Sequence, residues 1–257
     1  MLQITTRKAL LLLGAVMAFL IVSCDKSDNS LDTGKNPGSG KGGSMARFTI
    51  ACNHLYVVDQ SSLHIMDISD PANPVFVRTK DIGFGIETIF PYKDYLLIGS
   101  TTGMFVYSLS DCSDPVYVSQ FAHVLSCDPV VAEDDLAYIT LRAGGNCRVG
   151  WSTNELDILD ISNMNQPVFK TMHPVTEPYG LGIDNKILFI CHGDYGLGVY
   201  DITNPNNLIS LHQFPNIKSY DVIPNNNVLI VTGPGGIYQY DYSDLNNLAL
   251  LSTIAVP

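Results

Sequence analysis

Four side chains whose types could do chemistry stand at equivalent places in a recurring pattern: Glu87, Asp128, Tyr179 and Tyr220, with Ala46 at the fifth such place. Two carboxylates and two phenols at one opening could hold a polar ligand, since carboxylates accept hydrogen bonds from hydroxyls and flat rings stack on flat faces. Asp221, His192, Asp194, Tyr195 and Trp151, the single tryptophan, fall in segments expected beside the same opening. Aromatic rings among carboxylates suit a carbohydrate. Glu87 and Asp128 also meet the minimum for glycoside hydrolysis, in which two carboxyl groups stand about 5–5.5 or 6.5–9.5 Å apart. No third acid completes that site. A non-catalytic binding role is therefore the leading expectation, and a carbohydrate-active hydrolase or lyase the alternative.

Other chemistries find no support. The chain has no Gly-x-Ser-x-Gly elbow and no His-Glu-x-x-His pair, and its six histidines are scattered. No catalytic residue, metal or cofactor is therefore expected. Residues 38–43, Gly-Ser-Gly-Lys-Gly-Gly, look superficially like a phosphate-binding loop. Gly42, however, stands where Ser or Thr must follow the lysine, and no strand precedes it. A formal charge of −11 argues against nucleic acid as a partner.

The N-terminus reads as an address. Arg7-Lys8 precedes an apolar run from Ala9 to Val22, which is shorter than the roughly 20 residues of a membrane span and suits a secretory signal. The run ends in Ile21-Val22-Ser23-Cys24, which looks like a bacterial lipobox. The expectation is a signal peptide over 1–23, lipidation of Cys24, and a mature chain with 12 basic against 25 acidic residues. Residues 24–46 are rich in Gly, Ser and Asp and read as a flexible tether. Membrane contact would run through the lipid alone, with the protein on the bacterial cell envelope, at the outer membrane or cell surface. Five cysteines remain. Cys127 and Cys147 are expected to form a disulfide, two free thiols being the alternative, while Cys52 and Cys191 read as small buried hydrophobes.

The elements that must position these residues come from an internal repeat. Five segments align, starting at His64, Phe105, Asp157, Gly198 and Tyr238, with anchors Asp67, Ser108, Asp160, Asp201 and Asp241. The anchor spacings are 41, 52, 41 and 40, so one insertion, around Arg142–Asn154, sits in the third unit. The fifth unit shows four strands: Tyr220–Ile223, Val228–Thr232, Ile237–Tyr242 and Leu248–Ile254. Runs such as Leu96–Ile98 and Ile187–Cys191 are almost continuously apolar, as in strands covered on both faces. Four short strands every 41 residues or so predict an all-β propeller of about five four-stranded blades over 47–257. Each blade would be contiguous in sequence, so the first and last would meet only by sheet-face packing. The recurring Asp, just before a turn, reads as a structural acceptor of backbone N–H groups.

Leu63-His-Ile-Met-Asp67, Leu156-Asp-Ile-Leu-Asp160 and Leu197-Gly-Val-Tyr-Asp201 resemble the LVIVD repeat family, whose motif is Leu-Val-Ile-Val-Asp. Ser108 departs from it in the second unit. The resemblance implies a propeller in an exported or surface protein and supplies no catalytic motif. The partner, protein or glycan, is not named by any of these residues.

Overall fold

The computed structural model describes residues 42–122, 129–143 and 154–256. Their strands form five antiparallel sheets of four strands each. The first blade holds β1 (Phe48–Ala51), β2 (His54–Val58), β3 (Ser62–Asp67) and β4 (Val75–Asp81). The second holds β5 (Ile86–Tyr92), β6 (Tyr95–Ser100), β7 (Gly103–Ser108) and β8 (Val116–Ala122), and the third β9 (Val130–Glu133), β10 (Leu136–Leu141), β11 (Glu155–Asp160) and β12 (Val168–Pro174). The fourth holds β13 (Leu181–Asp184), β14 (Ile187–Cys191), β15 (Leu197–Asp201) and β16 (Ile209–Phe214), and the fifth β17 (Asp221–Asn225), β18 (Val228–Gly233), β19 (Gly236–Asp241) and β20 (Ala249–Ala255). Each sheet runs inner to outer in sequence order, so the chain is a five-bladed β-propeller, as the repeat predicts.

Local chemistry repeats with the blades. The first hairpin of each blade closes on two residues: Cys52-Asn53, Lys93-Asp94, Asp134-Asp135, Asn185-Lys186 and Asn226-Asn227. In the first, fourth and fifth blades both residues have positive φ, the geometry that tight antiparallel hairpins prefer and that Asn tolerates best. Each outer strand carries a bulge at the same place, between Ile65/Met66, Val106/Tyr107, Ile158/Leu159, Val199/Tyr200 and Gln239/Tyr240 of its partner. A bulge sharpens the local twist, which the outer edge of a blade needs.

The recurring Asp does what its position implies. Asp67, Asp160, Asp201 and Asp241 each accept the backbone N–H two residues on, at 2.7, 3.0, 2.7 and 2.8 Å. Ser108 makes the same bond with its hydroxyl, accepting from Ser110 N–H at 3.1 Å.

Apolar cores fill the spaces between blades. Tyr56, Leu63 and Ile65 meet Ile89, Leu96 and Ile98 between the first and second. Leu97 and Val106 meet Val130 and Ile139 between the second and third. Tyr138 and Ile158 meet Leu188 and Ile190 next, then Phe189 and Val199 meet Leu229 and Val231. Among the described residues no such core joins the fifth blade to the first. Phe48 and Ile50 instead look across a cleft of about 280 Å3 at Ile223 and Asp221.

Two expectations are corrected here. The tether does not extend to residue 46: Ser44 is buried, its hydroxyl accepts from Leu181 N–H at 2.8 Å and donates to the Asp221 carboxylate at 3.1 Å. The Ala46 carbonyl accepts from Ile89 N–H at 3.0 Å. Residues 42–46 thus strap the first blade to three others, so sheet-face packing is not what closes the ring. Cys52, in turn, is not an isolated small hydrophobe but is disulfide-bonded to Cys112, with Cα atoms 6.4 Å apart. The bond fastens the first blade to the second. Cys191 is a buried free thiol, as expected, and burial pushes its pKa up.

Candidate functional site

Inner strands begin at the central opening, so residues just before them and in the loops joining second to third strands ring its mouth. There Met45, Arg47, Glu87, Thr88, Pro129, Arg142, Pro178 and Tyr179 line a cavity of about 200 Å3. Arg47 precedes β1, Glu87 and Thr88 open β5, Pro129 precedes β9, and Pro178 and Tyr179 precede β13. Arg142 follows β10, at the base of the insertion. The Arg142 guanidinium lies over the Tyr179 ring, 3.9 Å from its centroid, a cation–π contact. The Tyr220 ring stands 5.5 Å from that of Tyr179, tilted by 46°.

Of the nine side chains expected to bind ligand, the structure brings Glu87 and Tyr179 together on the mouth cavity, with Tyr220 against Tyr179. Asp128 and Trp151 lie outside the described residues, as do Cys24 and the Cys127–Cys147 pair. The other four are elsewhere. Asp221 lies under the strap, where burial raises its pKa to about 6 against hydrogen bonds that favour its charged form. His192 is 2% exposed and shares hydrogen bonds with the Thr176 carbonyl and, at 3.0 Å, the Tyr200 hydroxyl. Burial lowers its pKa and keeps the imidazole neutral. With Tyr195 it borders a separate cavity near Tyr200 and Gln213. Asp194 forms an exposed pair with Lys218 at 2.8 Å. Sequence position put these four on one face because loops of one face share a repeat register; it could not tell which point inward.

The residues that sequence reasoning missed are Arg47 and Arg142. The available signal was their rarity. The chain has 14 basic residues, and these two sit where the repeat brings inner-strand starts and second-to-third loops together. Among the described residues no three His, Cys, Asp or Glu side chains gather as a metal site would require.

A rigid ring with a small mixed-charge cavity at its mouth defines a propeller with a ligand-sized opening. Two stretches, 42–81 and 147–173, match the LVIVD repeat, and they cover the first blade and the latter part of the third. The chain is thus a β-propeller carrying LVIVD repeats. No curated protein matches it in sequence. Among solved structures it is similar to a protein from Lactobacillus plantarum, with 14% identity, a TM-score of 0.63, and coverage of 80% of this chain and 69% of that one. It is also similar to a functionally unknown protein from Desulfotomaculum acetoxidans, with 12% identity, a TM-score of 0.60, and coverage of 80% and 67%. The computationally designed Ika8 protein gives 14% identity, a TM-score of 0.55, and coverage of 80% of this chain but only 60% of the designed one. At such identities the likeness is one of fold alone.

Proposed function

We propose that this chain is a non-catalytic binding module of the bacterial cell envelope, anchored by lipid at Cys24 and presenting the mouth of its propeller to a glycan or a partner protein. The observation that carries the reading is the convergence of Arg47, Glu87, Arg142 and Tyr179 on one cavity. A cation, an acid and an aromatic face in a rigid frame recognise polar ligands without need of chemistry. Glu87 lies on that cavity, while Asp128, its partner in the hydrolase alternative, is outside the described residues. The Cys52–Cys112 disulfide supports an exported location, because such bonds persist in oxidising compartments.

Two measurements test this. Growth of cells expressing the full chain with a clickable palmitate analogue should label the protein, and Cys24→Ala should abolish the label. The purified protein on a glycan array, and as bait for envelope extracts, should show saturable binding that Tyr179→Ala weakens and that releases no product. Turnover of a glycan, lost in Glu87→Gln, would establish the hydrolase alternative instead.

A further inference from the structure

The outer strands of the first four blades are each fastened to the blade that follows. Lys80 on β4 donates to the Asp114 carboxylate and the Pro115 carbonyl, at 2.7 and 2.6 Å. Ser119 on β8 donates to the Met164 carbonyl at 2.6 Å, and His173 on β12 to the Pro205 carbonyl at 2.7 Å. Phe214, closing β16, packs against the same apolar core as Leu245 of the fifth blade. In each case the fastening residue lies in the third-to-fourth turn of the next blade. Among the described residues nothing fastens β20 in that way. All seven of its residues are exposed, whereas β4, β8, β12 and β16 each bury or half-bury some of theirs. Leu250, Leu251 and Ile254 are 57, 54 and 64% exposed, and Val256 just beyond them 61%. From Leu245 to Val256 the chain holds neither a charge nor a proline, two devices that keep edge strands from pairing.

We propose that β20 is a self-association edge, on which two copies of this chain pair their β20 strands antiparallel about a twofold axis at Thr253. Two fifth blades then join as one eight-stranded sheet. The backbone phase supports that axis. Val256 N–H turns inward to the Gly235 carbonyl at 3.3 Å. Backbone groups alternate along a strand, so the N–H and C=O of Thr253 and Ala255 point away from β19. An antiparallel edge needs a partner that presents the same outward groups in reverse order, and a second copy does so by symmetry. About that axis Ile254 of each copy stands opposite Ser252 of the other, and Leu250 opposite Val256. Charge favours a second copy too. The chain carries −11, so two copies repel least where the surfaces they bring together hold no charge. A charged partner would gain nothing at this edge. Past the bulge at Leu251, the residues from Ser252 to Val256 make an edge about 17 Å long. That is small beside a standard interface of about 800 Å2 per partner, so the dimer should form in the micromolar range.

Sedimentation velocity of the purified full-length chain, from low to high micromolar concentration, tests this. The parent should pass from monomer to dimer. Thr253→Pro removes an outward N–H that β19 does not use, and Ile254→Lys sets like charges on both sides of the axis. Each should weaken dimerisation by about 10-fold or more. Parent and variants share one N-terminus, so association through it cancels in the comparison. Ile254 is exposed, and an unchanged melting midpoint will show that its variant folds. Hydrogen exchange at the Thr253 and Ala255 amides should slow as concentration rises. A monomer at every concentration overturns the proposal. So does a dimer that neither substitution weakens, since it forms elsewhere, and so does an open-ended polymer, which has no twofold. Slow exchange at those two amides that ignores concentration shows the edge covered by the same chain and overturns it as well. All these outcomes leave the binding role of the mouth standing, because β20 does not border that cavity.

Discussion

A single carboxylate shows how far residue type predicts role in this fold. The recurring aspartates were legible as structural because each stands just before the third-to-fourth turn, where its carboxylate can accept backbone N–H groups, and each does cap its turn. Hydrogen bonds from Ser69, Ser162, Thr203 and Ser243 hold the pKa of Asp67, Asp160, Asp201 and Asp241 below the ordinary carboxylate value. Their contribution to stability is therefore present above pH 4 or so and is lost as acid protonates them. Ser108 is the weak member, so Ser108→Asp should raise the melting midpoint by roughly 1–3 °C, a gain readable by calorimetry. Asp221 works in the opposite direction. Its pKa is raised to about 6 in the folded chain, so the folded state holds its proton longer than the unfolded one. Stability from this group is fully present below about pH 4 and falls as pH rises through 6, by about 3 kcal/mol. Urea midpoints across pH 4 to 7 should carry that slope, and Asp221→Asn should flatten it relative to the parent chain. Nothing in the sequence distinguished this Asp from its neighbours, since its burial depends on a strap almost 180 residues away.

At the scale of elements the sequence was nearly sufficient. Strand count, order and hairpin chemistry follow from alternation and from Asn and Asp at the turns, and the fifth blade's four strands fall within two residues or so of their expected limits. Pairings across blades were not legible, because they depend on how one sheet lies on the next. Cys52 and Cys112 are 60 residues apart and belong to turns of different blades. Packing of Tyr56 and Ile65 on Leu96 and Ile98, with the Tyr56 hydroxyl donating to the Cys112 carbonyl at 2.8 Å, brings them together. By loop closure alone, a bond across 60 residues stabilises the folded chain by about 4 kcal/mol. Cys52→Ser with Cys112→Ser, or reduction before denaturation, should lower the unfolding free energy by an amount near that. An unchanged urea midpoint would show that the first blade is fastened by its apolar core and by the bond from Lys80 to Asp114 instead.

On the scale of the whole molecule, closure and binding meet in one segment. Four interblade spaces are packed with apolar side chains, while the fifth is spanned by residues 42–46. Gly43 and Gly180 let the strap approach: a Cβ on either would come within 2.3 Å of an Asp221 carboxylate oxygen. The same segment continues into Met45 and Arg47, which line the mouth cavity. Loosening the seam should therefore be felt at the site. Ser44→Ala removes both the donor to Asp221 and the acceptor for Leu181 N–H, leaving a buried amide without its partner, at a cost of about 1–3 kcal/mol. Hydrogen exchange should then show β1, β17 and the Leu181 end of β13 losing protection, with β9 to β12 unaffected, because local opening follows the thinnest packing. Ligand affinity should fall alongside, although Ser44 does not border the cavity. If exchange rises evenly around the ring, the seam is not a separate unit of stability; if affinity holds while β1 opens, Arg47 reaches its ligand without the strap.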